Sequence, residues 1–358
     1  MSRLPGPAAN AWQRYFFTPA SPADLGFGRL VFCTLALIYY LPQDFSEWGT
    51  VAREFWMPGP LFSVLSLPLL PQSAIVVVQV LFKLGLAFAA AGLFTRTALA
   101  VVFACSVYLL GLPHNFGQIQ HFDTLVVLVF AILALSRAGD AWSVDAWLRA
   151  RPFGRLRAVP STVEGRHGMP ASADSGEYTW PIRAIWVMTA VIFFSAGFSK
   201  LRHSGLSWVF SDHLAIVLVR HQYFVSDGEP LTSWGPAIAA YSWAPRLLAA
   251  VSLGTEVLYP LALFSRWARM VLVPAGIAFL VGIRLLMGPT FEPFVICSAF
   301  WVPWGRLLER WGAARAPRPA ARQPVISPAL TTDLGACSLP STPIARTAAS
   351  TASKTSPP

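Results

Sequence analysis

The feature that most constrains this chain is a series of apolar runs long enough, or nearly long enough, to cross a lipid bilayer. A spanning helix needs about 20 apolar residues. Of the 358 residues, 55% are hydrophobic and 12% are charged, which is typical of a polytopic integral membrane protein. We therefore predict an all-α membrane bundle with about eight spans, or seven if one of the shorter runs does not cross. The runs are residues 25–41, 73–94, 97–112, 122–136, 181–199, 246–264, 267–287 and 291–304.

The arginines indicate how such a bundle is oriented, because cytoplasmic loops of membrane proteins carry an excess of lysine and arginine. If both termini are cytoplasmic, most arginines fall on the inner side, and the outer loop 42–72 has one arginine against three acids. The outer segment 201–245, with Arg202 and Arg220, fits this pattern less well. We expect an inner or plasma membrane protein whose first helix is retained, since no small-residue cleavage pattern follows it. The inner arginines are Arg3, Arg14, Arg96, Arg137, Arg149, Arg151, Arg155, Arg157, Arg166, Arg266, Arg269, Arg306 and Arg310.

We interpret the net charge of +10 as one that attracts the chain to anionic membrane lipids and not to nucleic acid. Arginines near an anionic leaflet gain about 1 kcal/mol each. They lack the aromatic interleaving or module signature of a nucleic-acid binder. The four scattered cysteines form no CxxC pair, so neither a disulfide framework nor a metal site is predicted. Only three of the 27 lysines and arginines are lysines, which is associated with GC-rich bacterial genomes.

The less apolar segments divide the chain further. Residues 1–24 are predicted to be a cytoplasmic N-terminal segment, 137–180 a cytoplasmic linker and 201–245 an outer-face segment. Within these, residues 142–157 have the pattern of a helix lying in the interface, and residues 206–220 that of a short amphipathic helix. The tail from 313 to 358 is rich in Ala, Pro, Ser and Thr and is expected to be disordered, because it cannot bury enough apolar surface.

Lys200 is the most informative polar residue, because it closes the apolar stretch 180–199 in a chain whose other lysines are Lys83 and Lys354. Burial disfavours an ammonium ion and can turn a lysine into a usable base. The alternative is that Lys200 extends its ammonium group to the lipid headgroups at a helix end. Both interpretations stay open on this residue alone.

Other ionisable residues are expected near Lys200, in the outer half of the bundle. Polar side chains in hydrocarbon need a partner or a function. A base, an imidazole, carboxylates and a guanidinium that open to one side are typical of an active-site pocket. The structural alternative is an Arg284–Glu292 ion pair, a Glu256 that binds a neighbouring helix and a His121 that is satisfied at a helix start. The residues of this predicted cluster are His121, Asp123, Lys200, Glu256, Arg284 and Glu292.

Several of these residues lie in motifs that resemble a known family. The sequence FFSAGFSKL at 193–201, followed by Gly205-Leu206-Ser207-Trp208, is similar to the vitamin K-dependent gamma-carboxylases and their relatives, the horizontally transferred transmembrane (HTTM) domain proteins. The resemblance covers residues 14–305. Further matching segments are Phe17-Thr18-Pro19, Gly28-Arg29-Leu30, Gln120-His121-Phe122-Asp123-Thr124-Leu125, Trp142-Ser143-Val144-Asp145 and Glu256 before Tyr259-Pro260.

The resemblance implies a reaction and residue roles. In the carboxylases, the lysine of this motif deprotonates reduced vitamin K, oxygen adds, and the resulting alkoxide removes a glutamate γ-proton so that carbon dioxide can attach. Lys200 would be the catalytic base and His121 its helper. Reduced vitamin K, a menaquinol-type quinol, would be the cofactor, near Glu256, Arg284, Asp123 and Trp208, with no metal. The partners would be membrane lipids and a secreted peptide or protein on the outer face.

Two differences between this sequence and the family's pattern support a second hypothesis about its function. Family carboxylases carry a large extramembrane region after the helical domain, whereas this sequence continues into a short tail. Where relatives often carry a histidine in the seventh span, it has Gly282-Ile283-Arg284. The alternative to a carboxylase-like enzyme is a non-catalytic membrane protein that binds or matures a secreted peptide, with the polar cluster serving helix packing.

Overall fold

The computed structural model describes residues 7–117, 122–150, 174–224 and 228–315, and the described chain is helical nearly throughout. Five 3₁₀-helices accompany the α-helices, at Ser46–Thr50, Arg53–Phe55, Leu112–Phe116, Gly176–Tyr178 and Ser298–Trp301. The α-helices are α1 (Pro7–Phe16), α2 (Pro22–Tyr40), α3 (Pro60–Val64), α4 (Gln72–Ala91), α5 (Thr95–Leu109), α6 (Thr124–Leu135), α7 (Val144–Ala150), α8 (Thr179–Ser204), α9 (Ser207–Phe210), α10 (His213–Tyr223), α11 (Trp234–Ala239), α12 (Trp243–Leu258), α13 (Leu261–Phe264), α14 (Arg266–Leu286), α15 (Glu292–Cys297) and α16 (Trp304–Arg315).

Five described helical segments are long and apolar enough to cross a bilayer, so the prediction of an all-α chain with helices of membrane-spanning length is confirmed for the described residues. The other three predicted runs form shorter helices. Residues 122–136 contribute the 12 residues of α6, and residues 291–304 are divided between α15 and a 3₁₀-helix. Residues 246–264 are interrupted at Tyr259 and Pro260, between α12 and α13. The five long segments are Pro22–Tyr40, Gln72–Ala91, Thr95–Phe116, Gly176–Ser204 and Arg266–Leu286.

The buried core lies where α2, α4, α5 and α6 pack together and α8 joins them through α6. Its largest fully buried side chain is Arg29, in α2. The Arg29 guanidinium donates hydrogen bonds to Ala89 O at the end of α4 and to Trp142 O, both at 2.5 Å. Because the last carbonyls of a helix lack partners within it, Arg29 acts as a buried cap that ties α2 to α4 and to the segment before α7.

Local sequence sets the ends of the two helices nearest the candidate site. Ser265 accepts a hydrogen bond from the Ala268 amide and starts α14, as side-chain oxygens do at helix N-termini. Gly205 stops α8 with a φ of 57°, a conformation that costs glycine little. α8 thus ends four residues beyond Lys200. The α-helices that follow, α9, α10 and α11, each pack on α12.

Two predicted helices differ in extent from the structure. The amphipathic helix expected at residues 206–220 is wrong as a single element, because it is divided into α9 and α10 at Ser211 and Asp212. Of the interfacial helix expected at 142–157, α7 covers Val144–Ala150, and positions from 151 on lie outside the described residues. Most of the predicted linker 137–180 and the predicted tail beyond Arg315 also lie outside them.

Candidate functional site

Lys200 and Glu256 form an ion pair between α8 and α12. The Lys200 Nζ lies 2.5 Å from Glu256 Oε1 and 2.6 Å from Oε2. The Glu256 side chain is only 3% exposed and that of Lys200 is 22% exposed. A buried carboxylate is expensive unless it is paired, so Lys200 supplies the partner that Glu256 requires. Its ammonium group is directed at this carboxylate.

Gly197 allows the two helices to come this close. A Cβ atom on Gly197 would lie 2.8 Å from the Glu256 Cβ and 3.1 Å from the Val257 amide nitrogen. Both distances are shorter than ordinary van der Waals contact. The glycine of the AGFSK motif therefore has a packing role in this chain. It lets the α12 backbone approach α8 closely enough for Glu256 to reach Lys200, which lies one turn further along α8.

Lys200 lines a cavity of about 550 Å³ between α8, α10, α12 and α14. The volume falls within the range of small-molecule sites. The walls are mainly aliphatic and aromatic, and Lys200 is the one Lys, Arg, Asp or Glu among the described lining residues. Representative wall residues are Leu214, Val217, Leu248, Val251, Phe279 and Phe291. The cavity therefore suits an apolar ligand that has a polar group at the Lys200 end.

Two further polar atoms in the cavity wall lack partners. Trp208 Nε1 and His221 Nδ1 are buried and form no hydrogen bond within the described part of the chain. Lys200 Nζ lies 5.5 Å from the centre of the Trp208 ring, so the indole stands beside the ion pair. Buried donors and acceptors are normally satisfied, so these two atoms are exceptions. Both have almost no accessible surface, and a ligand in the cavity would bind them only after the two side chains rotate.

Arg284 and Glu292 lie close to the cavity but are not among its lining residues. The Arg284 Nε is 3.0 Å from Glu292 Oε1, which is the ion pair of the structural alternative. Arg284 also donates from Nη1 to Glu229 O and Gly288 O, each at 2.7 Å. Arg284 thus holds the turn after α14, and this turn carries Pro289 and Phe291 into the cavity wall.

Asp123 is placed in the core, and not in the cavity wall. Its Oδ1 accepts a 2.5 Å hydrogen bond from the Tyr40 hydroxyl of α2. The neighbouring Phe122 does line the cavity, with its ring centre 4.6 Å from that of Phe291. His121, the predicted catalytic helper, lies outside the described residues. Of the predicted cluster, the structure brings Lys200 together with Glu256 and pairs Arg284 with Glu292 elsewhere. Trp208, which was predicted to lie near the cofactor, stands beside Lys200.

Two other segments of the family resemblance, Gly28-Arg29-Leu30 and Trp142-Ser143-Val144-Asp145, meet in a structural cluster with the end of α4 and the start of α5. Arg29 contacts Trp142, as described above, and Asp145 accepts hydrogen bonds from the Phe94 and Thr95 amides and from the Thr95 hydroxyl. Although burial alone raises the pKa of Asp145, these hydrogen bonds hold it below its usual value. Asp145 therefore stabilises the start of α5 as a carboxylate.

The sequence offered no reason to select His221. It is one of several aromatic and histidine residues in the segment 201–245. Its position in the cavity wall distinguishes it from the other histidines of that segment, and that position is seen only in the structure. Leu214, Val217 and Leu218 precede His221 at helical spacing and line the same cavity. Across the described residues, no three histidine, cysteine, aspartate or glutamate side chains converge in a group that could hold a metal ion.

Comparisons with known proteins return no relative. No family model matches the sequence, no curated protein is significantly similar to it, and no solved structure matches it. The resemblance to the gamma-carboxylase and HTTM families therefore stands on the sequence motifs alone.

Proposed function

We propose that this protein is an integral membrane enzyme of the gamma-carboxylase type, which binds a quinol in the cavity and uses Lys200 as the base that deprotonates it. The observation that carries the proposal is the position of Lys200. Its Nζ is the one aliphatic amine at the wall of an apolar cavity, and a buried carboxylate lies directly behind it. A base of this kind needs a dry site and a group that stabilises its protonated form.

The lining residues fit a quinol of the menaquinol or vitamin K type. The aliphatic and aromatic walls match a fused aromatic ring with an isoprenoid chain, and Trp208 offers an aromatic face beside Lys200. A quinol hydroxyl can hydrogen-bond Lys200 Nζ. After rotation of their side chains, Trp208 Nε1 and His221 Nδ1 can bind the second quinol oxygen.

The chain's own residues account for the proton movement. The reacting form is the neutral Lys200 amine, which has first released the proton of the ion pair to solvent. Its Nζ takes the proton from the quinol hydroxyl, and the ammonium that results again pairs with both oxygens of Glu256. Trp208 and the apolar walls restrict the access of water to the amine, so that competing protonation by solvent is reduced. The bound quinol supplies the reducing equivalents: quinol, oxygen, carbon dioxide and a glutamyl Cγ–H give quinone epoxide, a γ-carboxyglutamyl residue and water.

The proposal includes the finer topology of eight spans, with both termini in the cytoplasm and a disordered tail that begins after α16 and not at residue 313. Support for the sixth span comes from α12 and α13, which follow each other across Pro260 and both pack on α8. Support for the orientation comes from the arginine distribution. A glutamate-containing peptide or protein substrate would then reach the Lys200 end of the cavity from the outer face.

Incorporation of labelled carbon dioxide tests this function. Purified protein in nanodiscs would be given menaquinol, oxygen and glutamate-containing peptides, and compared with the Lys200→Arg and Lys200→Ala variants. We expect quinol-dependent incorporation by the wild type and its loss in both variants, because guanidinium stays protonated and alanine has no amine. The Arg266→Gln variant, altered on an exposed surface, is the matched control and should retain incorporation.

Two results would contradict the proposal. Incorporation that survives in Lys200→Arg would exclude Lys200 as the base. No incorporation and no quinol oxidation by the wild type would favour the non-catalytic alternative, a membrane protein that binds or matures a secreted peptide.

A further inference from the structure

A second cluster of polar residues lies at the other end of α8, where Arg183 and Arg269 share one aromatic ring. The Arg183 guanidinium carbon lies 4.4 Å from the centre of the Trp186 ring, and that of Arg269 lies 4.0 Å from it. The Trp186 ring is also stacked on Trp301 at 4.7 Å, with an interplanar angle of 3°. Two cations are therefore held against a single indole.

This pair of cations has no acidic partner within the part of the chain that the structure describes. The ion pairs found there are Arg149–Asp140, Lys200–Glu256, Arg246–Asp212 and Arg284–Glu292. Arg269 uses its Nε and Nη2 to bind the Ala262 and Leu263 carbonyls, which fixes its position but brings no negative charge. Like charges so close together repel, and an anion between them would remove the repulsion.

Tyr15 adds a hydrogen-bond donor at the same place. Arg183 lies 4.9 Å from the centre of the Tyr15 ring, and its guanidinium interacts with the buried Tyr15 hydroxyl. The hydroxyl hydrogen itself has no acceptor among the described residues. Burial raises the pKa of Tyr15, although the charge of Arg183 opposes part of the rise. The phenol is therefore protonated at neutral pH, and its O–H can donate to an anion.

The neighbouring surface indicates that the anion belongs to a lipid. Trp12 of α1 is 59% exposed and Trp267 of α14 is 63% exposed, close to Tyr15 and Arg269 in sequence. Phe264, whose ring centre is 6.2 Å from that of Tyr15, is also exposed. Exposed tryptophans at the ends of membrane helices lie at headgroup depth. Basic pockets between helices at this depth suit phospholipid headgroups.

We infer that Arg183, Arg269 and Tyr15 form a binding site for the phosphate group of an anionic phospholipid, held between α1, α8 and α14. The two guanidinium groups would donate charge-assisted hydrogen bonds to the phosphate oxygens, and the Tyr15 hydroxyl would donate a third. Since this site is at the opposite end of α8 from Lys200, it is separate from the proposed quinol cavity.

Lipid binding by the full-length protein in detergent tests the inference, with native mass spectrometry as the readout. The probes are a phosphatidylglycerol, a phosphatidylcholine of the same chain length, and inorganic phosphate. We expect the wild type to retain phosphatidylglycerol in preference to phosphatidylcholine. Arg183→Gln and Arg269→Gln should each bind it about tenfold more weakly, as expected for the loss of one charge-assisted contact.

Two variants separate a specific site from general surface charge and from misfolding. Tyr15→Phe keeps the aromatic ring under Arg183 and removes only the hydroxyl, so it should fold normally and bind phosphatidylglycerol several-fold more weakly. Arg266→Gln removes an exposed arginine whose guanidinium lies 4.9 Å from the Trp267 ring, and it should bind like the wild type.

Three results would overturn the inference. The first is equal retention of phosphatidylcholine and phosphatidylglycerol by the wild type. The second is an equal loss in Arg266→Gln and Arg183→Gln, which would mean that only surface charge is involved. The third is binding of inorganic phosphate as strongly as phosphatidylglycerol, which would assign the site to a soluble anion.

Discussion

Lys200 Nζ contacts both carboxylate oxygens of Glu256, a residue 56 positions away in the sequence. The contact joins the end of α8 to α12 inside the bundle, beside an apolar cavity. It gives the same two residues a structural and a chemical role. The carboxylate needs the cation because it is buried, and a base at this position needs the carboxylate to stabilise its protonated form.

Replacing one or both members of the ion pair should show that they stabilise the fold as a unit. Lys200→Met or Glu256→Met leaves an unpaired buried charge and should lower the free energy of unfolding by about 3 kcal/mol. The double variant should be close to the wild type, because two methionines of similar size can pack together. Denaturant unfolding in detergent measures all three, and additive losses would contradict the predicted coupling.

Gly197→Ala should weaken the contact between α8 and α12. The new Cβ would lie 2.8 Å from the Glu256 Cβ, so α12 has to move, at a cost of about 1–3 kcal/mol. Gly254→Ala is the matched control, since a Cβ on that helical glycine meets no atom within 4 Å. It should gain up to about 1 kcal/mol from helix propensity. Opposite changes in thermal stability are expected, and equal changes would argue against a close approach at Gly197.

Asp145→Ala should destabilise the start of α5 in a pH-dependent manner. Its hydrogen bonds to Phe94 and Thr95 make a cap worth about 1–2 kcal/mol. Because the pKa of Asp145 is lowered in the folded protein, this stability is present above the unfolded pKa of about 3.9 and is lost as pH falls through the folded pKa. Thermal unfolding should therefore show a gap between wild type and variant at neutral pH that closes in acid.

Asp212→Ala provides the comparison for Asp145. Asp212 pairs with Arg246 at 3.1 Å, and both side chains are exposed. Exposed pairs of this kind contribute about 0–1 kcal/mol. If Asp212→Ala lowers the thermal stability as much as Asp145→Ala does, the cap at Asp145 contributes no more than an exposed ion pair.

The long apolar helices could be predicted from the sequence because hydrophobic length is a local property. Residues 73–94 and 181–199 correspond closely to α4 and α8. The interruption near Pro260 and the division between α9 and α10 were not predicted. A proline or a short polar pair inside an apolar run can either kink a helix or end it, and the sequence alone does not distinguish the two outcomes.

The pairings between helices were less predictable. Lys200 and Glu256 were both selected as ionisable residues in an apolar setting, but their contact depends on the close approach at Gly197. Tyr40 was not selected at all, and it determines where Asp123 points. These relationships arise from tertiary packing, for which a single sequence carries no direct signal.

His221→Phe should separate ligand binding from stability. Phenylalanine keeps an aromatic ring among Leu214, Val217 and Leu218 but removes the unpaired Nδ1. If Nδ1 binds a quinol oxygen, the affinity for a menaquinone should fall about five- to tenfold, as for the loss of one hydrogen bond, while thermal stability is retained. Unchanged affinity would remove His221 from the ligand contacts.

Binding of a menaquinone to Gly282→Phe and Gly254→Phe is the measurement to make for the cavity itself. A Cβ on either glycine meets no atom within 4 Å, but only Gly282 lines the cavity. A phenylalanine at 282 should therefore start from an unobstructed Cβ position and occupy part of the cavity volume. We predict that wild type and Gly254→Phe bind the quinone and that Gly282→Phe loses at least about tenfold in affinity. Quinone binding by Gly282→Phe equal to that of the wild type would contradict a quinol site in this cavity.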